Sequence, residues 1–228
     1  MSANDLSTTL RRELRALADP VRAAGAQAYM KSAMPYYGIA ATPLRALCKR
    51  VFVAHPLPTF AAWQRTALGL WTRATHREER YAAIELTGHR LYRGYQTLEA
   101  LPMYERFIVE GAWWDLVDVV AIHRVGPLLA TYPREMNKTL LAWAKGDDLW
   151  KRRSAIIAQV ACKKATDTAL LEAIIAPSAL RKEFWLRKAI GWALRSYAYQ
   201  DPRWVARYVK AHPELSGLSR REALKNLS

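Results

Sequence analysis

Three stretches of this sequence space aromatic and charged side chains so that they share a surface. In Trp113-Trp114-Asp115-Leu116-Val117-Asp118, continued by Val120, the residues Trp113, Leu116, Val117 and Val120 trace one apolar helical face, which assigns Trp113 to the core. Trp114 and Asp118 are four apart and stack one turn above the other on the flank of that face. An indole plane and a carboxylate placed in this way can meet a single ligand. The plainer reading of Asp118 is a surface carboxylate or the partner of a nearby arginine. Asp115 points further outward, where the helix dipole favours an acid in an early turn.

The second stretch runs from Arg181 to about Tyr199. At about 100° per residue it separates into two faces. Leu186, Ala189, Ile190, Ala193, Leu194 and Tyr197 form the apolar one, while Lys188, Trp192, Arg195 and Tyr199 fall in a narrow stripe opposite. Trp192 therefore points away from the main core, and cations interleaved with aromatics suit a surface that neutralises phosphates and offers flat faces to sugars or bases. Trp63, Trp71, Trp143 and Trp204 lack such company and are read as packing residues. The third stretch, Trp150-Lys151-Arg152-Arg153, sets three consecutive cations at a helix start. One salt bridge cannot account for all three, so either one faces a polyanion or the run is a solvated charged face.

The elements that must position these residues are helices. Starts are marked by small polar caps or by proline at the first helical position: Asp19-Pro20, Thr42-Pro43, Thr59, Thr97, Trp113, Pro133, Asp148, Asp167, Arg181 and Asp201-Pro202. Thr75 with Glu78, and Ser219 with Glu222, have the form of capping boxes. About a dozen helices and no sheet are expected, joined by short connections into hairpins. Trp150-Lys-Arg-Arg153-Ser-Ala155-Ile156 aligns with Phe184-Trp-Leu-Arg187-Lys-Ala189-Ile190 at an offset of 34, and Glu79-Arg80-Tyr-Ala82-Ala-Ile84 echoes both. A period of that size belongs to HEAT-like helical pairs. The expected fold is all-α, a right-handed superhelical solenoid of HEAT-like repeats forming one domain over 1–228.

Composition names the kind of partner. Lysine and arginine total 35 against 20 aspartates and glutamates, a formal charge of +15. From Trp150 onward there are 16 basic and six acidic residues, so the C-terminal third carries the strongest positive field. Charge alone suits DNA, RNA or an anionic membrane surface, or serves solubility. Cys48 and Cys162 are the two cysteines, with no CxxC pair or His/Cys cluster, so neither a disulfide framework nor a metal site is expected. The first nine residues lack a signal pattern and no apolar run approaches a bilayer span, which points to a soluble, cytoplasmic protein that engages no membrane.

The order Tyr29-Met30-Lys31, Trp113-Trp114-Asp115-Leu-Val-Asp118, Trp150-Lys-Arg-Arg153-Ser-Ala-Ile, and Lys188-Ala-Ile-Gly-Trp192-Ala-Leu-Arg195-Ser-Tyr197 resembles the AlkD-type DNA alkylation-repair glycosylases. Leu218-Ser219-Arg220-Arg221-Glu222-Ala223 is also similar to that family, and the likeness covers nearly the whole chain. One departure is Gly38-Ile39-Ala-Ala-Thr42-Pro43, a residue longer than the corresponding turn. The resemblance implies a curved stack of repeats holding duplex DNA in its concavity, and excision of N3- and N7-alkylated purines with no metal or cofactor. It implies that Trp114, Asp118 and Trp192 surround the deoxyribose of the lesion. Arg153 would be an essential phosphate contact, Tyr29 an aromatic of the same cleft and Arg195 a backbone contact. Lys188 shares the stripe of Arg195, and Arg152 the basic run of Arg153, so both are expected on the DNA-binding surface.

The implied chemistry suits those residues. A cationic base is already a good leaving group, so the sugar, as it gains oxocarbenium character, is what needs help. Asp118 would stabilise that charge and orient or deprotonate water, and the indoles would add cation–π attraction. By the same resemblance the damaged base stays largely in the stack rather than being flipped out. A monomer is expected. Two other readings remain open: a non-catalytic relative that binds duplex or structured DNA, and a helical-repeat adaptor for an acidic protein. RNA is possible on charge, although no single-strand-binding motif is present.

Overall fold

Each helix begins where a capping residue can satisfy its first amides and ends where the chain must turn. A computed structural model describes residues 3–227. Among these residues the all-α expectation holds, with fourteen α-helices and no strand. The chain forms two compact units, Met1–Met103 and Tyr104–Ser228.

The N-terminal unit contains α1 (Ala3–Ala16), α2 (Pro20–Met30), α3 (Ala41–Ala54), α4 (Phe60–Thr72) and α5 (Arg77–Gly88), followed by 3-10 turns at Arg90–Tyr95 and Leu98–Ala100. Asp19 caps α2 by accepting from the amides of Val21 and Arg22, and Thr59 caps α4 through Ala62. Helices α1, α3, α4 and α5 pack on one another around Leu10, Leu14, Leu47, Trp63, Leu70 and Trp71. No cap signal announced α1, and α3 starts at Ala41, one residue before Thr42.

The expected capping box at Thr75 and Glu78 is not formed. His76 is the N-cap of α5. Glu78 turns inward instead, and its carboxylate accepts from the backbone amides of Tyr37 (2.9 Å), Gly38 (2.8 Å) and Ile39 (3.1 Å). Glu79 accepts from Arg11, the Tyr37 hydroxyl and the Thr75 hydroxyl. Burial of two adjacent acids is tolerated because every bond they receive is charge-assisted. The segment held by Glu78 is the long turn noted in the sequence. Its Gly38 has φ +86, and a Cβ there would lie 2.2 Å from the Asp19 carbonyl oxygen.

The C-terminal unit contains α6 (Leu101–Gly111, which begins in the first unit), α7 (Trp114–Val120), α8 (Gly126–Thr131), α9 (Pro133–Lys145) and α10 (Leu149–Ile157). It continues with α11 (Thr168–Ile175), α12 (Phe184–Ala198), α13 (Pro202–Ala211) and α14 (Gly217–Leu224). Helix α10 packs on α7, α9 and α12, and α12 packs in turn on α13 and α14, the side-by-side packing of a helical repeat. Equivalent residues of the 34-residue offset, Ala155 with Ala189 and Ile156 with Ile190, are buried in both helices.

Two starts fall later or earlier than the caps suggested. Helix α12 begins at Phe184 rather than Arg181, and α14 is capped by Ser216, whose hydroxyl accepts from the Ser219 amide. The second capping box, Ser219 with Glu222, is therefore also absent. Between α7 and α8 the backbone stays helical but widens into a π-turn over Ala121–Val125, one turn beyond Asp118. Gly126 follows it, where a Cβ would lie 2.5 Å from the Ala158 carbonyl oxygen, so the widened helix is pressed against the end of α10.

Arg152 corrects the expectation placed on the basic run. Rather than facing outward to DNA it is buried, and donates to the carbonyls of Lys145, Gly146 and Pro177 and to the Ser178 hydroxyl. Lys145 and Gly146 end α9, where carbonyls lack helical partners and a cation is favoured. Arg152 is a brace between helix ends.

Candidate functional site

The site is built from the start of α7 upward. Gly111 ends α6, and the chain reverses at Ala112, which sits in the left-handed region with φ +40. A non-glycine residue pays for that conformation, and the outlier lies immediately before the aromatic pair. Trp113 is the N-cap of α7, in extended conformation, and is half-buried rather than a full core residue. It packs with Trp150 and Trp185, ring centroids 5.5 to 6.2 Å apart, in a three-indole cluster. Leu116, Val117 and Val120 are completely buried, which fixes the rotation of α7 and leaves Trp114 and Asp118 half-buried on its flank.

Asp118 meets Arg153. The guanidinium donates Nε–H to Oδ1 at 2.7 Å and Nη2–H to Oδ2 at 2.8 Å, the bidentate geometry that only arginine offers. Its Nη1 donates to the Trp185 carbonyl oxygen at 2.7 Å, and the group lies 5.5 Å from the Trp185 ring centroid. The arginine side chain is 5% exposed and the aspartate 13%. Of the two plain readings of Asp118, the partner of a nearby arginine is the one found.

Despite that partner, burial pushes the Asp118 carboxyl above its ordinary range. The Arg153 hydrogen bonds and charge oppose the rise, and the nearby Asp115 adds to it. The arrangement is a desolvated carboxylate oriented from one side. Two of its roughly four lone-pair positions are taken by Arg153.

The two faces of α12 are as the 100° period placed them except at Tyr197, which is half-buried rather than part of the buried face. Leu186, Ala189, Ile190, Ala193 and Leu194 are buried, while Lys188, Trp192 and Arg195 are half-buried and Tyr199 is 70% exposed. Lys188 and Arg195, on either side of Trp192, both bind Glu222 of α14, at 2.8 Å and 2.5 Å. The Lys188 hydrogen bond is the largest cause that holds the Glu222 carboxyl below its usual range, against a smaller effect of burial. The close approach of α14 depends on Gly191, where a Cβ would lie 2.4 Å from the Glu222 Cβ. Ser219, also on α14, donates its hydroxyl to the Arg187 carbonyl.

With this geometry established, a match to the DNA alkylation repair enzyme family extends over residues 10–227. The chain belongs to that family. Its fold is also that of a solved structure, a predicted DNA alkylation repair enzyme from Enterococcus faecalis, with a TM-score of 0.84 and 29% identity, covering 92% of this chain and 97% of that one. No curated protein matches the chain. A role in DNA repair follows from the family.

In this repair-family chain, Asp118, Arg153, Lys188, Trp192 and Arg195 are carried by helices of one unit that pack in the series α7, α10, α12, with Trp114 one turn before Asp118. Tyr29 belongs to the N-terminal unit, in the last turn of α2, where it is 77% exposed. Trp185 and Glu222 are the partners that sequence reasoning missed. Trp185 follows Phe184 at the head of the repeat equivalent to Trp150, and Glu222 is a lone acid beside Arg220 and Arg221. Among the described residues no cluster of three or more histidines, cysteines or acids is placed to hold a metal ion, and no helix is long and apolar enough to cross a membrane.

Proposed function

We propose that this protein is a DNA glycosylase that removes positively charged N3- and N7-alkylated purines, such as 3-methyladenine and 7-methylguanine, from duplex DNA without flipping the base. The observation that carries this reading is Asp118: a half-buried, desolvated carboxylate with a raised pKa, held by a bidentate arginine and one helical turn from an indole. Structural carboxylates have no need of a desolvated open side, whereas a centre that stabilises a developing cation does.

In this mechanism the N-glycosidic bond breaks and its electron pair neutralises the cationic purine, which departs without a proton donor. Positive charge develops on the sugar at C1′ and the ring oxygen. Asp118 stabilises it and accepts a proton from the water that adds to C1′. Trp114 and Trp192 contribute cation–π attraction of about 0.5–2 kcal/mol each. Arg153 opposes the rise that burial causes in the Asp118 pKa and aims the carboxylate. A backbone phosphate would have to reach this sheltered guanidinium through the two N–H groups that Asp118 and the Trp185 carbonyl leave unused. Lys188 and Arg195 supply further backbone contacts while anchored by Glu222.

Selectivity then depends on the charge of the damaged base rather than on its fit to a pocket. The test is release of free base from methylated duplex. Appearance of 7-methylguanine or 3-methyladenine with matching abasic sites supports the reading, and tight duplex binding with no release refutes it in favour of a binding protein.

A further inference from the structure

The N-terminal unit has a cationic cleft that the reaction above does not use. An open cleft of about 350 Å³ lies between α3 and the end of α5 with the turn that follows it, lined among others by Arg45, Lys49, Phe52, Glu85, His89 and Arg90. Arg45 is paired with Glu85 at 3.2 Å. Among the described residues Lys49 and Arg90 have no ion pair, so three cations face one carboxylate and the cleft keeps a net positive charge. Neither cation has a packing task that explains it, since both are exposed.

His89 supplies the second observation. Both of its ring nitrogens are shut off from solvent, and neither has a hydrogen-bond partner. A buried donor without an acceptor is destabilising, so it calls for a missing partner. Burial first, then the charges of Arg90 and Lys49, push the His89 pKa down, while Glu85 opposes them. Both free cations therefore act on the ring that lacks an acceptor. An oxyanion among them would neutralise the pair and, after a small turn of the ring, accept from His89.

We propose that this cleft binds a phosphodiester group of the DNA backbone, giving the N-terminal unit a phosphate site built from Lys49, Arg90 and His89. The proposal rests on the reading of the protein as a DNA-binding repair enzyme. A phosphodiester fits better than a free anion because the volume leaves room for the attached sugar, and the wall offers it the edges of Phe52 and His89, whose rings lie 5.6 Å apart. Arginine and lysine side by side combine a directed donor fork with a mobile point charge, a pairing suited to phosphate.

The test compares wild type with Lys49→Ala/Arg90→Ala, using an undamaged duplex followed by anisotropy across a salt series, and by NMR of the histidine rings. A parallel titration uses inorganic phosphate at matched ionic strength. The double variant is expected to fold as wild type and to lose about one unit from the slope of log K against log salt, the share of one phosphate contact. The His89 resonances should move with duplex in wild type and stay still in the variant, and Lys49→Arg/Arg90→Lys should restore the response. Duplex binding with an unchanged slope and a silent His89 overturns the cleft and leaves the glycosylase reading standing. Failure of wild type to bind duplex overturns both. A response to inorganic phosphate with none to duplex assigns the cleft to a small anion and overturns the DNA assignment.

Discussion

Both units bury carboxylates, and the two sites treat them in opposite ways. Glu78 is 1% exposed and receives three backbone amides, so its charge is dispersed over donors that belong to a turn. Asp118, half-buried with its side chain 13% exposed, receives one arginine from one side, and desolvation still outweighs that partner. A carboxylate saturated by backbone is a fastener, because the turn it holds cannot spare it. A carboxylate left partly satisfied in a dry place stores an interaction that a substrate's developing charge can use. Two backbone irregularities flank the helix that carries Asp118: the left-handed Ala112 in the turn before α7, and the π-turn directly after it.

This contrast breaks most visibly at Glu78. Glu78→Ala should lower folding stability by roughly 3 kcal/mol, since three amides lose their acceptor in the interior. Urea unfolding measures this, and the excision rate per folded molecule should be unchanged. A variant as stable as wild type would remove the distinction between fastener and reactive group.

Arg153→Ala sharpens the other side. Removing the opposing charge and its hydrogen bonds should raise the Asp118 pKa further. The proposed reaction uses the carboxylate, so rate is expected above that pKa and is lost as pH falls through it. The acid limb of the wild-type profile should therefore lie above the ordinary carboxylate range, and that of Arg153→Ala higher still. An acid limb that stays in place in the variant would show that Arg153 does not tune Asp118. Trp192→Ala carries the smallest effect: loss of one cation–π contact should slow single-turnover excision by roughly 2- to 30-fold, with the thermal midpoint within a few degrees of wild type.

What sequence made legible was whatever periodicity controls. The two faces of α12 followed from rotation alone, as did the placing of Trp114 above Asp118 and the equivalence of α10 and α12 across 34 residues. Partners distant in the chain were not legible. Glu222 lies 27 and 34 residues from the cations it holds, and local pattern made it look like a cap. Glu78 misled in the same way, because its carboxylate reaches amides 39 to 41 residues upstream rather than its own helix start. Arg152 and Arg153 are consecutive, yet about 100° of rotation sends one to the end of α9 and the other to Asp118. A charge run cannot reveal which of its members the fold consumes.

The central claim is that the Asp118 carboxylate performs the chemistry. The direct measurement is single-turnover release of 7-methylguanine from a duplex carrying one such lesion, at saturating protein, for wild type and Asp118→Asn. The substitution keeps the shape and removes the charge, so the rate should fall by roughly 100-fold or more with duplex affinity retained. An Asp118→Asn protein that excises at the wild-type rate would contradict the account.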